Sequence, residues 1–131
     1  MGRVTCKQLG NVYDINLPKE DLDRLNKVVD FIKSYNFRYN CDVYLFGSFA
    51  KGKIKDSSDI DLLMIVDLED KRLVRRQKLD FIDMLEDTVN LYYGDDFDLL
   101  VYTEATFLRA LEKEGSFEYS VNSYMLKIER G

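Results

Sequence analysis

Asp59 and Asp61 stand two residues apart at the head of an apolar run that continues to Val66, and ten residues separate Asp59 from the pair Gly47-Ser48, where an earlier apolar run ends. Side chains on an extended segment alternate with period two, so the two carboxylates face the same way. Like charges buried together either share a proton or require a cation. Carboxylate oxygens are ligands for hard divalent ions, and a Gly-Ser turn is of a size to receive a phosphate. The combination suggests a metal ion and a nucleotide.

A third carboxylate lies downstream. Asp98 sits within Phe97-Asp98-Leu99-Leu100-Val101, an apolar frame in which a charged group needs a partner. Asp96 shares its strand face and remains the alternative. Taken singly, each feature has a plainer reading: Asp59 and Asp61 as a solvated strand end, Asp98 as a surface carboxylate, Ser58 as a turn or cap residue. Spacing and company weigh against that reading for the three carboxylates. Gly47 to Lys53 also fits the first seven positions of a P-loop, but Ile54 occupies the eighth, where a Ser or Thr hydroxyl would hold magnesium. The loop after it, Lys55-Asp56-Ser57-Ser58, does not continue as the helix a P-loop needs.

The set Gly47-Ser48-Phe49-Ala50-Lys51-Gly52, Ser58-Asp59-Ile60-Asp61-Leu62 and Phe97-Asp98-Leu99 resembles the nucleotidyltransferase superfamily typified by DNA polymerase beta, and most closely its minimal nucleotidyltransferase (MNT) branch. The motifs span Val43 to Tyr102. The resemblance implies a metal-dependent nucleotidyltransferase, with ATP as substrate and two Mg2+ ions held by Asp59, Asp61 and Asp98. Asp98 would hold the metal that activates the acceptor. Gly47, Ser48 and Lys51 would contact the phosphates; many relatives carry Arg where Lys51 stands, so the bidentate fork is missing here. Many MNT proteins are antitoxins paired with a helical HEPN toxin, some transferring AMP to its tyrosine. A HEPN-type partner, AMP transfer to a protein hydroxyl and an antitoxin role are therefore expected. The rival readings are a non-catalytic nucleotide- or toxin-binding module, and a transferase acting on a small molecule or RNA end.

The elements that must position these residues follow from periodicity. Leu22, Leu25, Val28, Val29 and Ile32 recur at helical spacing after Pro18, predicting a helix to about Tyr35. Strands are predicted over Asp42 to Phe46, Asp59 to Val66 and Asp96 to Tyr102, the second buried on both faces. Helices are predicted from Asp70 to Asp87, with Lys71, Arg72, Arg75, Arg76 and Lys78 on its wet face, and from Thr103 to Glu114. Phe117, Val121, Tyr124, Met125 and Ile128 predict a last helix. Residues 1–17 read as an arm or an edge strand, with Val12 to Ile15 the candidate. The fold class is α/β (α+β): one domain over residues 1–131, a small mixed sheet with helices packed on it.

Composition narrows the function classes. With no histidine, His-based triads, His-ligated zinc and a His general base are excluded. Cys6 and Cys41 form no metal or redox motif. A net charge of −5 argues against a surface built to grip nucleic acid throughout. The absence of a long apolar run or leader pattern predicts a cytoplasmic protein with no membrane contact. Lys51, Lys53 and Lys55 alternate near the acidic pair, either as a polyphosphate lure or as a solvated loop. The tyrosines at 92, 93, 102, 119 and 124 read as core or rim, any one able to stack on a base.

Overall fold

The computed structural model describes residues 3–53 and 59–129. Helix α1 (Lys19–Ser34) begins directly after Pro18, whose fixed φ of −57° suits a helix entry, and buries Leu22, Leu25, Val28, Val29, Phe31 and Ile32 along one stripe. The chain then enters strand β2 (Cys41–Phe46), breaks into the short helix α2 (Gly47–Lys51), and returns as β3 (Ile60–Val66) antiparallel to β2. Helix α3 (Lys71–Val89) is capped by the Asp70 carboxylate on the Arg72 amide and ends where Asn90 turns left-handed at φ 58°. It crosses over to β4 (Phe97–Thr103), which runs parallel to β3. A parallel pair requires such a crossover.

Two short helices follow, α4 (Glu104–Leu111), capped by Thr103, and α5 (Phe117–Asn122), capped by Ser116. The chain closes with β5 (Leu126–Ile128) on the free edge of β2, and β1 (Lys7–Gln8) pairs with β5. The mixed sheet thus has the order β1-β5-β2-β3-β4. Two predictions need correcting here. The span from Phe117 to Ile128 is a helix only as far as Asn122; Leu126 and Ile128 satisfy backbone groups of β2 and bury Ile128, which a continued helix would forgo. The N-terminal edge strand is Lys7–Gln8, whereas Val12–Asp14 forms a 3-10 turn.

Each sheet face has its own core. Val43 and Leu45, Ile60, Leu62, Met64 and Val66, and Phe97 and Leu99 pack with the buried stripes of α1 and α3. Tyr44 and Phe46, with Leu63 and Ile65, pack on Phe107, Leu111, Val121 and Met125. β3 is buried along its length except at Asp61. Burying a single large aliphatic side chain contributes about 1.5–3 kcal/mol, so a carboxylate in that position forgoes such a gain and adds a desolvation cost. Among the described residues no helix is long and apolar enough to cross a membrane.

Candidate active site

β3 and β4 are parallel and β2 is antiparallel to both, so the starts of β3 and β4 and the end of β2 share one end of the sheet. The register makes this specific: Phe46 pairs with Asp61, and Asp61 with Asp98. Strand alternation turns Asp61 and Asp98 to the face shared with Phe46 and Leu63, the one covered by α4 and α5. Asp59, one residue before β3, has the same parity as Asp61.

The turn after β2 is fitted to this acidic end. Gly47 has φ +73°, a conformation that favours glycine, and a Cβ built there would overlap Asp61 Oδ2 and lie 2.9 Å from its Cγ. The missing side chain is therefore what allows the Asp61 carboxylate to lie against the backbone of the Gly-Ser turn. Ser48 follows in α2, and its carbonyl accepts the Lys53 N–H at 3.0 Å, closing the turn. Lys51 extends from α2 with Nζ 4.5 Å from the centre of the Tyr124 ring.

The electrostatics agree with the register. Burial, then the Asp98 charge, then the Asp59 charge push the Asp61 carboxyl up to about 6. One carboxylate in the middle of three is thus held back from ionising by the other two and by its partial burial. Asp98 Oδ1 accepts the Leu99 N–H at 2.9 Å. Asp96 does a different job: Oδ2 accepts the Tyr92 N–H at 2.8 Å, Oδ1 lies 3.9 Å from the Arg24 guanidinium, and its carbonyl accepts the Ile60 N–H. It closes the turn before β4, and Asp98 alone of the two is in register with Asp61.

Among the described residues, no three acidic or cysteine side chains are drawn together tightly enough to enclose a cation in the arrangement present. The donor set itself is wholly carboxylate oxygen, which suits Mg2+ and not a soft metal. Ser58 and Lys55 lie outside the described residues, so their readings receive no structural account.

Sequence reasoning left Tyr124 as one tyrosine among several. In the fold its hydroxyl accepts the Gly47 N–H at 3.1 Å, across 77 positions of sequence. Phe117 on α5, 49% exposed, has its ring centre 5.9 Å from that of Phe46, so it too borders this end of the sheet. Neither could be singled out from periodicity, because the turn that brings Tyr124 to Gly47 lies in the stretch whose spacing imitates a continuous helix.

A parallel strand pair thus presents register-matched carboxylates beside a Gly-Ser turn. The model of the family described as "Polymerase beta, Nucleotidyltransferase" matches residues 26–124, and the chain belongs to that family. Its generic reaction is nucleotidyl transfer. A solved structure described as a putative nucleotidyltransferase from Sulfolobus solfataricus is similar, with 19% identity, 78% of this chain and 82% of that chain covered, and a TM-score of 0.49. No curated protein matches the sequence.

Proposed function

We propose that the protein is an MNT-type transferase that moves AMP from ATP to a hydroxyl of a partner protein, a HEPN-type toxin, and so acts as its antitoxin. The observation that carries the transfer reading is the placement of Asp61 against Gly47 and in register with Asp98, with its carboxyl raised by burial and then by both neighbouring charges. A group in that position gains most from a cation. Asp59, Asp61 and Asp98 would hold two Mg2+ ions, which when bound supply neutralisation of charge on the attacking and leaving oxygens. Gly47, Ser48 and Lys51 would receive the outer phosphates.

The residues divide the reaction between them. The acceptor hydroxyl oxygen forms a bond to the α-phosphorus while the bond from that phosphorus to the pyrophosphate oxygen breaks, and pyrophosphate leaves with the electron pair. The hydroxyl proton passes to Asp98. One Asp98 oxygen accepts the Leu99 N–H, which leaves the other the less committed acceptor for that proton. The partner and the antitoxin role rest on the resemblance of the motifs to MNT proteins.

The experiment mixes the protein with Mg2+, ATP labelled at the α-phosphate and the product of the neighbouring gene. Label on the partner, lost with Asp59→Asn, is the expected result. A second reading is a nucleotide- or toxin-binding module without transfer. Partner binding without label under the same conditions would select it, and label on a small molecule or RNA end would select a different acceptor.

A further inference from the structure

Tyr124 makes two contacts at the Gly-Ser turn. Its Oη accepts the Gly47 N–H at 3.1 Å, and its ring carries the Lys51 ammonium at 4.5 Å from its centre. A phenol that accepts one hydrogen bond still has its own proton to donate. Among the described residues nothing accepts that proton, and Lys51 forms no ion pair with a carboxylate. An O–H donor and a cation therefore stand together at the Gly-Ser turn, neither with an anionic partner among the described residues.

We infer that Tyr124 is a phosphate-binding residue of the nucleotide site, donating its hydroxyl proton to an outer phosphate oxygen that also pairs with Lys51. The inference rests on the nucleotide reading given above and adds to it a residue from outside the motifs between Val43 and Tyr102. Lys51 alone is a point charge on a flexible stem and fixes no direction. The ring narrows where the ammonium can be, and the Gly47 N–H holds the phenol oxygen at the turn. Between them the two side chains supply paired donors.

The alternative behaviour of the same contact is competition. Were Tyr124 only a plug on the Gly47 amide, a phosphate would have to displace it, and removing the hydroxyl would improve binding. The two possibilities differ in sign. Titration calorimetry with Mg2+ and α,β-methylene ATP, which cannot be turned over, is made on wild type, Tyr124→Phe and Tyr124→Leu. Inorganic tripolyphosphate is titrated in parallel. Tyr124→Phe keeps the ring and is expected to weaken both ligands by about tenfold, the size of one hydrogen bond to a charged acceptor. Tyr124→Leu, which also releases Lys51, is expected to weaken both further.

Equal or tighter binding by Tyr124→Phe overturns the inference, as does a loss seen with the nucleotide and not with tripolyphosphate, which would place the ring at the base. Failure of the wild type to bind either ligand would overturn the nucleotide reading itself, and this inference with it. Wild-type binding that is indifferent to Tyr124→Phe sinks the inference alone.

Discussion

Replacing Gly47 by alanine adds one methyl group, and the structure says where it goes. Two costs arise. A left-handed φ costs an L-residue about 1–2 kcal/mol, offset in part by about 0.4–1 kcal/mol because alanine has less freedom in the unfolded chain. The second cost is specific to the site, because the new carbon would overlap Asp61 Oδ2 and lie 2.9 Å from its Cγ. Overpacking of that kind typically costs about 1–3 kcal/mol. Gly52 is the internal control: its φ is +69° and, among the described residues, a Cβ there meets nothing nearer than 3.8 Å. Gly52→Ala should therefore cost about 1 kcal/mol or less, and Gly47→Ala about 2–3 kcal/mol, read by urea denaturation with a chelator present. In an Asp61→Ala background the Gly47→Ala cost should fall to the Gly52→Ala value, since the contact is gone. Equal costs for the two glycines, or no relief in the Asp61→Ala background, would refute the placement of Asp61 against the turn.

Two more outcomes follow from the same site. Asp61 has a folded pKa of about 6 against an ordinary 3.8, so the folded state holds this proton more tightly than the unfolded chain does. The stability it contributes is present at low pH and is lost as pH rises through about 6. Asp61→Asn should then stabilise the metal-free protein at pH 7.5 by about 1 kcal/mol, a figure discounted for partial solvent exposure, and by much less at pH 4. An equal gain at both pH values would contradict the assignment. Asp98 and Asp96 should separate cleanly: Asp98→Asn abolishes transfer with the melting temperature nearly kept, whereas Asp96→Asn lowers the melting temperature by loosening the Tyr92 turn and leaves residual transfer. Transfer assays and thermal melts on the two variants check this, and the reverse pattern would exchange their roles.

Much of the frame was legible because each helix and central strand announces itself twice, by periodicity and by its boundary residues. Pro18, Asp70, Thr103 and Ser116 all stand where helices begin, and the apolar run after Asp61 is buried on both faces. Asp59 and Asp61 could be paired from spacing alone and Asp98 preferred to Asp96 from its apolar frame, whereas the register of Asp98 with Asp61 is a long-range fact that no local pattern encodes. The C-terminal stretch misled for a physical reason. Val121, Met125 and Ile128 all point into cores, but Val121 does so from a helix and Ile128 from a strand, while Phe117 stays exposed. Three residues of β5 are too few to display an alternation, and only the free edge of β2 explains them. Tyr124, in the turn between, was invisible for the same reason.

The central claim is that Asp59, Asp61 and Asp98 together form a cation site beside the Gly-Ser turn. Carbon-detected NMR of the aspartate carboxyl groups, followed through a Mn2+ titration and a matched Mg2+ titration, tests it directly. The account predicts that substoichiometric Mn2+ broadens the carboxyl resonances of Asp59, Asp61 and Asp98 before those of Asp96 or any surface aspartate, and that Mg2+ draws the Asp61 titration midpoint well below its metal-free value near 6. Broadening spread evenly over the aspartates, with the Asp61 midpoint unmoved by Mg2+, would contradict it.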